Sequence, residues 1–86
     1  MKLFLLSQTV IDDYDTFDSC VVVAEDAIDA VTIHPASSLG ELLRLDPTDK
    51  FPSWPARTID ITCKYLGEAD PSFTEPAVIC ASFNAG

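Results

Sequence analysis

Glycine is scarce in this 86-residue chain: Gly40, Gly67 and Gly86 are the only three, too few and too scattered for a backbone loop that cradles a phosphate. Bases are nearly as rare, with five Lys and Arg against 14 Asp and Glu and a formal net charge of −9. That balance disfavours direct contact with a nucleic-acid backbone or an anionic membrane. Histidine occurs once, as His34, and no Ser or Cys has it at a spacing that suggests a nucleophile–base pair. The apolar stretch in "MKLFLLSQT" runs only from Leu3 to Leu6, too short for an export signal or a bilayer span, and it is followed by no small-residue cleavage site. The expected location is therefore the cytoplasm. Cysteine is odd in number; Cys20, Cys63 and Cys80 lie far apart, each in an apolar strand-like run. They read as buried, reduced thiols, since a zinc site needs closely spaced ligand pairs. No cofactor and no metal is expected.

What is present is a folding chain with an unusual surface. Hydrophobic residues make up 48%, enough for one core and a single domain over residues 1–86, although a chain this short buries only about 60–65% of its unfolded surface. The charge is lopsided. Residues 1–43 hold eight acids and one base, Lys2, whereas residues 44–86 come close to balance. Asp12, Asp13, Asp15 and Asp18 stand directly before the apolar run Val21, Val22, Val23, and Glu25, Asp26 and Asp29 follow it.

Four strands are expected. Leu3–Ser7 and about Phe17–Ala24 are apolar on both faces, which suits the middle of a sheet. "RTIDITCKYLG" alternates, with Ile59, Ile61, Cys63 and Tyr65 inward, and "AVICASF", residues 77–83, forms the fourth strand. Gly67, Pro71 and Pro76 suggest that strands three and four form an antiparallel hairpin with a long tip. Between strands two and three, "EDAIDAVTIHP" places Ala27, Ala30, Val31 and His34 on one helical stripe, closed by Pro35. "SLGELLRLDP" has Ser38 three residues before Glu41, a capping-box spacing, and aligns Leu39, Leu42 and Leu43 in a second, shorter helix weakened by Gly40. The fold class is thus α+β: a mostly antiparallel four-stranded sheet with one or two short helices on one face, in the order β-β-α-(α)-β-β.

The tests for chemistry are negative. Taking Asp13 as the first ligand of a calcium loop leaves Phe17 at the fifth position, Asp18 where glycine is needed, and Ala24 where glutamate is needed. His34, at a helix end on the apolar stripe, reads as a packing or capping residue. From Asp46 to Ala56, Pro47, Pro52 and Pro55 surround Phe51 and Trp54; the two rings either plug the core under a loop or, if exposed, make Trp54 a contact anchor. The chain is not expected to be an enzyme. One or two of the four aspartates before strand two are expected to close turns, and the others to face water.

The segments "MKLFLLSQ", "YDTFDSCVVVAE", "IHP", "LGEA" and "ASFNAG" resemble those of a family of small, uncharacterised acidic proteins of bacterial genomes, prophages and phages. The resemblance spans most of the chain and carries no site motif; the stretch from Ser37 to Asp49 looks longer than that family's, as an insertion. Small acidic phage proteins of this kind include anti-CRISPR inhibitors, some of which imitate DNA in the basic groove of a CRISPR surveillance complex. The resemblance therefore implies a noncatalytic inhibitor that binds a basic protein surface, such as a surveillance-complex subunit, through Asp12, Asp13, Asp15, Asp18, Glu25, Asp26 and Asp29 gathered on one anionic face. The alternative is a small structural or accessory protein that associates through an edge strand or Trp54, its acidity serving solubility.

Overall fold

A computed structural model describes residues 1–12, 14–38, 40–50 and 52–84. Asp13, Leu39 and Phe51, to which the sequence assigned roles, lie outside the described residues. The chain is a small α+β domain: four antiparallel strands, β1 (Lys2–Ser7), β2 (Thr16–Ala24), β3 (Thr62–Glu68) and β4 (Ala77–Asn84), and one short helix, α1 (Ala27–Ala30). The strand order is β3-β1-β2-β4. The two strands expected in the middle, β1 and β2, form the central hairpin, with Leu3 opposite Val23 and Leu6 opposite Cys20.

One face of this sheet carries the core. Phe4 and Leu6 of β1 with Cys20, Val22 and Ala24 of β2 meet Ala30, Ile33, Trp54 and Ile61 from the covering segment. The pleat explains the selection, because alternate residues of paired strands point the same way. Trp54 is 1% exposed, so the Pro-rich loop supplies the core's largest side chain and Trp54 is no surface anchor. Its indole N–H is buried with no hydrogen-bond partner among the described residues.

Several details depart from the sequence reading. Strands β3 and β4 do not pair; they flank the central hairpin on opposite edges. Crossing three strand spacings takes about 14 Å, and the eight residues 69–76 reach well beyond that. The helix is a single turn. Asp26 caps it, its Oδ1 accepting from the Asp29 amide at 2.8 Å, but β-branched Val31, Thr32 and Ile33 follow, and the Thr32 hydroxyl donates to the Asp29 carbonyl at 2.7 Å. The chain then leaves the helix: His34 N donates to Leu43 O at 2.9 Å and Leu45 N to Thr32 O at 3.0 Å, tying residues 32–34 to 43–45. Among the described residues no second α-helix forms. Ser38 and Glu41 instead exchange backbone hydrogen bonds at 3.0 Å in both directions, a tight turn in which Gly40 takes φ +81°, the left-handed region open to glycine. Ile59 and Tyr65, both expected to point inward, are exposed, Ile59 because β3 begins only at Thr62 and Tyr65 because β3 lies at the sheet edge.

Loss of Trp54 should be felt globally. Trp54→Ala is expected to cost about 3–5 kcal/mol, a large part of the ~5–15 kcal/mol that holds a small domain together. Trp54→Phe should cost far less, because it removes the unpartnered N–H along with part of the ring. Urea titration followed by far-ultraviolet circular dichroism checks both; equal losses would contradict the packing role.

Candidate functional site

Gln8 organises the connection between β1 and β2. Its alternation with Phe4 and Leu6 turns it inward, and it is buried. The side-chain amide donates to Ile11 O at 2.7 Å and Phe17 O at 2.8 Å, and its oxygen accepts from Ile11 N at 2.8 Å. The Gln8 backbone N–H donates to Asp18 O at 3.1 Å, and Asp15 N donates to Asn84 O at 2.6 Å. The Gln8, Ile11 and Asp15 amides are thus answered without an aspartate side chain. Asp15 sits at φ +61°, a region aspartate tolerates, and Asp18 falls at the irregularity in the β2–β4 ladder between Phe17 and Ser19.

The carboxylates of Asp12, Asp15 and Asp18 are exposed, and among the described residues none of the three makes a side-chain hydrogen bond or ion pair. Aspartates that do close turns lie elsewhere. Asp46 accepts from the Thr48 hydroxyl at 2.6 Å and the Thr48 amide at 2.9 Å, and Asp70 accepts from Ser72 N at 2.8 Å. Those contacts hold both carboxyls below the ordinary range, the Thr48 hydroxyl foremost for Asp46 and the Ser72 amide for Asp70. Beside the unpaired aspartates, Tyr14 is 74% exposed and Val10 59% exposed. Val10, Asp12, Tyr14, Asp15 and Lys50 line a shallow groove of about 500 Å³. Sequence reasoning passed over Gln8 and Tyr14; the phase of β1 was the signal for the first, and nothing in composition marks the second.

The remaining candidate acids do not join this group. Glu25 and Asp26 follow the far end of β2, ten residues from Asp15, which along a strand is roughly 30 Å in a molecule 36 Å long. Asp26 is occupied as the helix cap, and Asp29 Oδ1 pairs with Arg44 Nη1 at 3.0 Å. The six described acids therefore form two groups, Asp12, Asp15 and Asp18 towards one end of β2 and Glu25, Asp26 and Asp29 beyond the other, rather than one anionic face. No group of three or more His, Cys, Asp and Glu able to hold a metal ion occurs among the described residues, and none of the described helices is long and apolar enough to cross a membrane.

His34 Nδ1 accepts from the Ala36 amide at 3.0 Å, and Phe17 meets the ring edge-on at 6.3 Å. Burial lowers its pKa from 6.5, with Asp49 opposing. A folded pKa below the unfolded one means that this stabilisation is complete above pH 6.5 and is lost as pH falls through the folded value. His34→Asn retains an acceptor without the titration. Between about pH 7.5 and 5, the urea midpoint of the wild type should therefore fall more than that of the variant; parallel curves would remove His34 from the account.

The cysteines differ in kind. Cys20 is buried, its thiol pushed up to about 12 by burial and then by nearby Cys80. Cys63 is half-buried and raised by burial. Cys80 is exposed, contrary to the expectation of a core thiol, because β4 lies at the sheet edge. One maleimide per native chain should couple rapidly at neutral pH, and Cys80→Ser should abolish that fast phase.

No protein-family model, no curated protein and no solved structure matches this chain.

Proposed function

We propose that the protein is a noncatalytic binding protein of the inhibitor type, anti-CRISPR-like in class, which presents the β1–β2 end to a basic, nucleic-acid-binding surface of a host protein. The observation that carries this reading is the set of unpaired carboxylates of Asp12, Asp15 and Asp18 around exposed Tyr14 and Val10. An aromatic anchor within a charged rim is the composition of a protein contact rather than of a solvated turn. The Gln8 amide keeps the turn in place, so the carboxylates are presented without first being ordered, which lowers the cost of binding. Attraction toward lysine and arginine speeds encounter and weakens as salt rises.

The division of the acids alters the proposal in one respect. An extended imitation of a DNA duplex needs charge along one face, whereas Glu25 and Asp26 lie about 30 Å from the aspartate turn and Asp29 is paired with Arg44. The contact is therefore assigned to the turn, with Asp26 and Asp29 left to structural work at the helix.

The test is affinity capture from a bacterial host lysate, eluted with rising salt. The triple variant Asp12→Asn, Asp15→Asn, Asp18→Asn should lose the salt-eluted partner, since three exposed charge pairs at about 0.5 kcal/mol each amount to roughly ten-fold in affinity. Asparagine tolerates the left-handed backbone at position 15, so the fold should survive. Glu25→Gln with Asp26→Asn should leave capture unchanged. A partner indifferent to the triple variant would reject the turn as the contact, and one equally sensitive to both variants would restore the extended anionic face.

A further inference from the structure

The edge strand β4 is built unlike the rest of the surface. Ala77–Asn84 contains no charged residue in a chain of net charge −9, whereas β1 has Lys2, β2 has Asp18, and β3 has Lys64 and Glu68. Residues 79–83 are all exposed, with Ile79 at 44% and Phe83, whose ring packs against Phe17 at 4.8 Å, at 48%. An edge strand with open backbone groups invites another strand unless charge, proline or a bulge blunts it. The opposite edge is blunted: β3 carries Lys64 and Glu68, its ladder is irregular between Leu3 and Phe4, and Gly67 sits at φ +144°. The β2–β4 ladder is irregular at two places, between the pairs Val22–Val78 and Val21–Cys80 and between Ser19–Ser82 and Phe17–Phe83, and residues 80–82 between them pair in regular register.

We propose that β4 is a self-association strand that pairs antiparallel with β4 of a second copy, joining two sheets across a two-fold axis at Ala81. The order Ile79, Cys80, Ala81, Ser82, Phe83 has a palindrome of sizes. Antiparallel pairing about its centre sets Ile79 against Phe83 of the second copy twice, Cys80 against Ser82 twice, and Ala81 against itself. The two large apolar residues cover one another, and the small residues at the axis let the backbones meet. Because each copy is strongly anionic, the approach is permitted only along an uncharged strip, and this one is uncharged over its whole length. Five paired residues span about 17 Å and bury less than the ~1,200 Å² of a standard interface. The dimer is therefore weak, half-dissociated on the order of 10–100 μM.

Sedimentation equilibrium from about 5 μM to 1 mM, at about 0.05 and 0.5 M salt, tests the proposal. The wild type should pass from monomer to dimer, and association should tighten at high salt as repulsion between the copies is screened. That dependence is opposite in sign to the one expected for a basic partner on the aspartate turn, so either result stands whatever becomes of the other. Ala81→Lys and Ala81→Glu, both at an exposed position, should each be monomeric, while their equimolar mixture should recover the dimer through a lysine–glutamate pair on the axis. Ile79→Thr should weaken the dimer several-fold without adding charge, and circular dichroism checks that each variant is folded. A wild type that stays monomeric throughout, or a lysine variant that dimerises like the wild type, would overturn the proposal; failure of the mixture to recover would overturn the Ala81-centred register.

Discussion

The width of the covering layer governs this structure. A sheet of four strands needs a layer broad enough to shield all four, and between β2 and β3 the chain supplies one short helix, a pair of bridged segments and a Pro-rich loop. Helix α1 lies over β1, β2 and β3, and Trp54 completes the packing beneath the loop. Only Val78 of β4 joins the core, as a partly buried neighbour. Burial is the main source of stability and falls off where cover ends. The central hairpin is therefore held from both sides and above, and the second half of β4 is held chiefly by its ladder to β2.

Charge is arranged around the same constraint. Carboxylates repel one another least where water surrounds them, and at this end of the sheet Asp12, Asp15 and Asp18 are exposed. Gln8 makes that placement possible: its amide answers backbone groups that turn aspartates commonly answer themselves. Where no such amide is at hand, as at Asp46 and Asp70, the aspartate closes its own turn and is bound up in doing so. Carboxylates of equal formal charge are thus unequal in availability, and the difference is set by which backbone donors lack another partner.

Much of this was legible in the sequence, and the residues show where legibility ends. Apolarity on both phases marked β1 and β2 as central, since only strands flanked on both sides tolerate it. The α+β class and the antiparallel sheet followed from strand periods and the break between them. Pairing of the outer strands was not readable, because Gly67, Pro71 and Pro76 announce a reversal of direction and say nothing about how far the chain travels sideways before resuming. Ser38 and Glu41 were ambiguous in principle: a three-residue spacing serves a helix cap and a tight turn alike, and the left-handed backbone of Gly40 decides for the turn. Cys80 misled for a different reason. Alternation and β-branching report that a segment is a strand, but whether anything lies on top of it depends on residues distant in sequence.

For the aspartate turn, the same ambiguity is what geometry resolves. Seven acids within eighteen residues suggest one surface when read along the chain. A strand of nine residues separates them by its own length, because an extended backbone carries its two ends apart at about 3.3 Å per residue. Had the intervening segment been helical, a rise of 1.5 Å per residue would have left the groups close enough to act together. The β-propensity of Val21, Val22 and Val23 therefore does more than build the core. It holds the acids that precede β2 apart from those that follow it and leaves beside them, along β4, the uncharged margin on which a neighbouring strand can be received.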